Sequence, residues 1–177
     1  ISRLKLPKLN TYNYALGAGE KDVLISVAGS MTKILDVATC AQQGVKISKV
    51  QSHSLDSLVD LFTDHHIDLL KIDVEGYEQD VLSGASQILR EQRADVIYIE
   101  VGFRRDGAQQ TYFAKIDGML QDYGYRIFKI YEQKNEWIQD SPLLRRCNVA
   151  YMSSSFANAN PYKSSIELME LKQKENC

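Results

Sequence analysis

No cysteine pair of the CxxC kind occurs in this chain. Its three cysteines, Cys40, Cys147 and Cys177, are odd in number and far apart. That spacing supports neither a disulfide framework nor a zinc site, and it fits a reducing, cytoplasmic setting. No apolar run approaches the roughly 20 residues of a membrane-spanning helix, and the N-terminus lacks the apolar core of a signal peptide, so no membrane partner is expected. Neither sign of charge dominates: 21 Lys and Arg against 23 Asp and Glu leave a net charge of -2, which offers no general basic field to nucleic acid. Internal repeats, low-complexity tracts and linkers are also missing, so residues 1–177 read as a single domain. What is present is ordinary for a compact globular domain: 44% apolar and 25% charged residues, in a chain long enough to bury a core. The chain opens at Ile1 and already reads there as an internal stretch, so the natural protein is expected to begin upstream.

The stretch Ile67 to Ala85 changes period halfway along. Ile67, Leu69, Leu70, Ile72 and Val74 form a short apolar run ending at Gly76, which suits a central parallel strand. Val81, Leu82, Ala85, Ile88 and Leu89 then recur with helical spacing, with Gln79, Gln87 and Arg90 on the polar side. Asp73, Glu75 and Glu78 therefore fall at the carboxyl end of a strand and in the first turn of the next helix. Open α/β sheets place their ligand crevice there.

Before it, Leu9 to Leu16 alternates like a strand, Gly17-Ala18-Gly19 breaks it, and Asp22 to Ala28 is β-like again, which suggests a hairpin. Ser30 to Lys46 shows no clear period, Val45 to Val50 reads as a short strand, and Leu55, Leu58, Val59 and Phe62 mark a helix with Ser54 as N-cap. After it, Asp95 to Val101 reads as a strand completing a right-handed βαβ unit. A helix from Tyr112 to Tyr123 closed by Gly124, a strand from Tyr125 to Tyr131 and a last strand from Arg146 to Met152 come next. The end of the sheet reads as an antiparallel pair, and residues 160–177 read as a polar helical tail with Pro161 in its first turn.

The strongest chemical signal is Lys71-Ile72-Asp73-Val74-Glu75-Gly76-Tyr77-Glu78. Lys71, Asp73 and Glu75 share one side of a strand, and charges interleaved with apolar residues there are costly unless paired or lining a site. A carboxylate at that place could take a proton, hold a cation or orient a ligand, and spacing does not choose among these. A purely structural Lys71–Asp73 pair with Glu78 complementing the helix dipole is the competing reading. Other candidates read as structural: His65-His66 as a solvated helix end, Arg104-Arg105 as a solvated loop, and the tyrosines at 112, 123, 125 and 131 as core.

Taken together, IDLLKIDVEGYEQDVLSGASQIL, the SLDSL at Ser54 to Leu58 before it, the VIYIEV at Val96 to Val101 after it and the NYALG ending at Gly17 resemble the FkbM family of methyltransferases, over roughly residues 9 to 153. The resemblance implies a Rossmann-like methyltransferase fold, a mostly parallel sheet of order 3-2-1-4-5-7-6 with an antiparallel last strand. Here it would lack the first two strands and the glycine-rich turn, which would lie before Ile1. Gly17-Ala18-Gly19 does not replace that turn, because Asp22 to Ala28 beyond it reads as strand and not helix.

The same resemblance implies S-adenosylmethionine as cofactor and O-methylation of a hydroxyl on a small molecule, sugar or polyketide. Asp73 and Glu75 would then be the catalytic candidates, Ala15, Leu16 and Asp73 would bind cofactor, and Lys71, Glu78 and Glu100 would meet substrate, with no metal. Two rivals stand beside this reading. One is a non-catalytic binding or assembly module that has lost the cofactor half. The other, ranked last, is a metal-dependent hydrolase using Asp73, Glu75 and Glu100. Without its first two strands the sheet would expose an apolar edge, so marginal stability or self-association of the isolated chain is expected.

Overall fold

A computed structural model of the chain describes residues 10–28, 31–35, 46–62, 65–107, 110–137 and 141–159. Its strands are β1 (Ala15–Leu16), β2 (Lys21–Ala28), β3 (Met31–Leu35), β4 (Lys46–His53), β5 (Ile67–Ile72), β6 (Ala94–Gly102), β7 (Tyr125–Asn135) and β8 (Leu144–Ser153). Its helices are α1 (Glu78–Ser83), α2 (Ser86–Arg90), α3 (Phe113–Asp122) and α4 (Ser154–Ala159), with a 3-10 helix over Asp56–Leu61.

The strands form two four-stranded sheets, β1-β4-β2-β3 and β5-β6-β8-β7. The second positions the site. β5 and β6 are parallel, with Leu70 opposite Ile97 and Ile72 opposite Ile99. β8 runs antiparallel to β6, and β7 antiparallel to β8. β8 is thus reversed relative to the other strands of its sheet, as expected of the last strand in sequence. Ile72, Ile97, Ile99, Val149 and Tyr151 meet Val81 and Leu82 of α1, Ile88 and Leu89 of α2, and Ile116 and Leu120 of α3 in one buried cluster. Each such side chain contributes about 1.5 to 3 kcal/mol by leaving water. Among the described residues β5 pairs with β6 alone and Leu69 is 60% exposed, so the strand read as central stands at the edge of its sheet; a short apolar run marks a strand but not its place in the sheet.

The N-terminal third departs from its sequence reading. The expected hairpin of Leu9 to Leu16 with Asp22 to Ala28 does not form: β1 pairs parallel with β4, and β2 pairs antiparallel with β3 and β4. Ordered strand β3 lies inside the stretch read as irregular. The strand read at Leu9 to Leu16 is confined among the described residues to Ala15–Leu16, and the local pattern that marked β2 missed β3 and carried no information on which long-range partner each would take.

The helix expected across Val81 to Leu89 is two helices. A Cβ on Gly84 would lie 2.0 Å from the Gly17 carbonyl oxygen, so the chain bends where β1's end presses against it. α2 then starts afresh, capped from afar: Asp56 Oδ2 accepts the Gln87 amide at 2.9 Å and Asp56 Oδ1 accepts the Ile88 amide at 3.0 Å. The segment after Ser54 is 3-10 rather than α, although Ser54 Oγ does accept the Ser57 amide at 3.1 Å. Gly124, at φ +79, closes α3 as its sequence position suggested. The short α4 was not anticipated, and the tail read at 160–177 lies outside the described residues.

Candidate active site at the carboxyl edge of β5 and β6

β5 stops at Ile72, and the chain turns through Asp73, Val74, Glu75, Gly76 and Tyr77 into α1. Glu75 and Gly76 are both left-handed, at φ 50 and 104. Glycine adopts that region freely, whereas a glutamate there costs about 1 kcal/mol or more, so the surrounding structure must hold it. The register that sets Lys71 opposite Tyr98 carries Asp73 on to the side of Glu100. As a result the carboxylates of Asp73, Glu75 and Glu100 lie within 4.8 Å of one another.

Cations flank this group on both sides. Lys71 Nζ donates to Asp73 Oδ2 at 2.8 Å, and that hydrogen bond holds the lysine above its ordinary pKa. Glu100, only 6% exposed, pairs with Arg146 of β8. Breaking such a buried pair leaves an uncompensated charge, so the arginine fixes the glutamate's position as well as its charge balance. Further along the same side of the sheet, Asn148 Nδ2 donates to Glu132 at 2.9 Å and the rings of Tyr98 and Tyr131 sit 5.7 Å apart.

Glu78, read from sequence as a substrate contact, is fully buried and has both oxygens taken. Oε1 accepts the Gly76 amide at 3.0 Å, while Oε2 accepts the Thr111 amide at 3.1 Å and the Thr111 hydroxyl at 2.7 Å. Ala15 and Leu16 form β1, which pairs with β4 in the first sheet, while the carboxylates stand on the second. β1 ends beside α1, where a cavity of about 20 Å³ is lined by Leu16, Gly17, Lys21, Ser52, Tyr77 and Asp80. The Gly17-Ala18-Gly19 turn leads into β2, so it opens a strand and not a helix.

Elsewhere, His66 Nε2 lies 3.1 Å from Asp95 Oδ2 and clusters with Asp68 at the opposite end of β5 and β6. Arg104 is engaged by Asp106 at 3.2 Å, and the Arg105 guanidinium sits 5.6 Å from the Tyr112 ring centroid. Tyr125 is core, whereas Tyr131 is only half-buried and ring-paired. Sequence reasoning missed the roles of Arg146, Thr111 and Asp56, since each acts on a partner more than 25 residues away.

A cluster of three carboxylates at a strand edge, one half-exposed and two more enclosed, can accept a proton or hold a cationic group. No helix among the described residues is long and apolar enough to cross a membrane. Comparison with curated proteins and with solved structures finds no match. The family model for the methyltransferase FkbM domain matches residues 2–127, a span running from before β1 through the Asp73 turn, β6 and α3. With well over half its length in that match, the chain belongs to the FkbM methyltransferase family.

Proposed function

We propose that the protein is an S-adenosylmethionine-dependent methyltransferase acting on a hydroxyl of a small molecule, sugar or polyketide. The observation that carries this reading is the convergence of Asp73, Glu75 and Glu100 at the strand edge inside the family-matched segment. The residues fit a cationic cofactor: the Asp73 side chain is 46% exposed and its one described cation is a solvated lysine, so it can face a second positive group. S-adenosylmethionine supplies a methyl group on a sulfonium, which makes that carbon electrophilic.

Asp73 and the apolar pair Ala15 and Leu16 hold the cofactor in this reading. Asp73 or Glu75 takes the acceptor's hydroxyl proton as its oxygen attacks, and that assistance contributes about 10² to 10⁴ in rate. Lys71 keeps Asp73 oriented, and Glu100, held by Arg146, contacts the acceptor. Positioning does the rest, because an in-line displacement needs the two reacting atoms aligned in a confined space.

The test uses the natural full-length protein with methyl-labelled S-adenosylmethionine and a panel of hydroxylated sugars and polyketides. Transfer of label to oxygen is expected, with Asp73→Asn or Glu75→Gln losing about 100-fold or more while melting normally. Wild-type rates in both variants would remove these carboxylates from the chemistry.

A further inference from the structure

Resting on that reading, we propose that Thr111 is a positioning residue for the Asp73 and Glu75 carboxylates, acting through Glu78. Thr111 lies just before α3, far in sequence from the β5–α1 turn, yet it supplies two donors, its amide and its hydroxyl, to the buried Glu78 carboxylate. The amide of Gly76, the second left-handed residue of the turn, donates to the same carboxylate. Glu78 therefore clamps the turn's backbone to Thr111.

Thr111 is in turn tied to β6. Its carbonyl accepts the Gly102 amide at 2.9 Å, and Gly102 stands two residues beyond Glu100. A continuous set of hydrogen bonds thus runs Gly76–Glu78–Thr111–Gly102, from one carboxylate-bearing strand end to the other. The Thr111 hydroxyl also lies 3.3 Å from the Gly76 carbonyl oxygen, but it has one proton, which the closer and charged Glu78 acceptor takes. Holding Glu75 at φ 50 needs this over-determination, because nothing intrinsic to a glutamate favours it.

Thr111→Val keeps the size and the amide donor and removes only the hydroxyl; Thr111→Ser restores it. Two readouts are needed in the full-length protein. Amide hydrogen exchange at Gly76 reports the clamp, and the ratio of affinities for S-adenosylmethionine and S-adenosylhomocysteine reports where the carboxylates stand relative to a positive charge. In Thr111→Val, Gly76 exchange about tenfold faster and a ratio lowered about tenfold are expected, with exchange at Ile97 and Val149 unchanged. Thr111→Ser returns both toward wild type.

A folded Thr111→Val with Gly76 exchange unchanged overturns the clamp. Faster exchange with an unchanged affinity ratio also overturns the proposal, leaving Thr111 a structural brace alone. Should Thr111→Val not fold, Glu78→Gln, which keeps the size and one acceptor oxygen, must change both readouts in the same direction or the proposal fails. A wild-type protein that binds neither ligand would defeat the methyltransferase reading itself; Gly76 exchange then decides by itself whether Thr111 sets the turn.

Discussion

Lys71 and Asp73 form an ion pair along one strand edge, Nζ to Oδ2 at 2.8 Å, with both side chains about half exposed. Water screens such a pair, so its worth to folding is small. Lys71→Met should change the unfolding free energy by less than about 0.5 kcal/mol in denaturant titration. A loss of several kcal/mol would show that the pair is structural and that Asp73 is not available to a ligand.

The neighbouring pair behaves oppositely. Glu100 is buried against Arg146, so Arg146→Met strands a carboxylate and should cost about 3 kcal/mol or more. Adding Glu100→Gln to Arg146→Met should recover part of that loss, which a double-mutant cycle of denaturation measurements would reveal. Additive losses would contradict the pairing.

Two glycines in helical surroundings should answer the same substitution with opposite signs. Gly84→Ala drives a methyl to 2.0 Å from the Gly17 carbonyl oxygen, a backbone atom that cannot swing aside, and should cost on the order of 3 kcal/mol. Gly118, exposed within α3, has nothing within 4 Å of such a methyl, so Gly118→Ala should stabilise by about 0.5 to 1 kcal/mol. Thermal melts of both variants check this pair together.

Alkaline stability should fall through a defined window. Tyr125 donates to the Ala94 carbonyl at 2.9 Å, and burial pushes its phenol up to about 12. Between pH 10 and 12 the unfolded chain has released a proton that the folded chain keeps, so the folded state binds more protons and stability declines as pH rises. This group alone accounts for roughly 2 to 3 kcal/mol across that window. Burial also raises the Tyr151 phenol, which acts in the same direction, and so does Lys71. Tyr125→Phe should therefore flatten the decline without abolishing it, while costing about 1 kcal/mol at pH 8 for the lost hydrogen bond. Urea titrations at pH 8 and pH 11 would show it.

The second sheet was legible because its local patterns are strong: the apolar run at β5, the strand run at β6 and the Gly124 cap each arise from local rules, although β6 finds β8 more than 40 residues away. The first sheet was not. β1 shrinks to Ala15–Leu16 and finds β4 more than 30 residues away, which no local period encodes. The break between α1 and α2 was hidden for the same reason, since Gly17 and Asp56 impose it from outside the helix. At the site, Asp73 and Glu75 were readable as charges interleaved with an apolar run and Glu100 through the family resemblance, but β5 stops at Ile72 and leaves Asp73 and Glu75 in the turn beyond it, not on one side of the strand. Glu78 stood in the same motif, but Thr111, whose amide and hydroxyl meet its buried carboxylate, lies 33 residues away and no local pattern marks it.

Everything proposed for the site requires that the Asp73 edge hold a cationic methyl donor. The most direct measurement is calorimetric titration of the full-length protein with S-adenosylmethionine, comparing wild type with Asp73→Asn. Binding by wild type is predicted, with a weakening of about tenfold or more, roughly 1.4 kcal/mol, in the variant at unchanged melting temperature. Equal binding by the two proteins, or none by wild type, would contradict it.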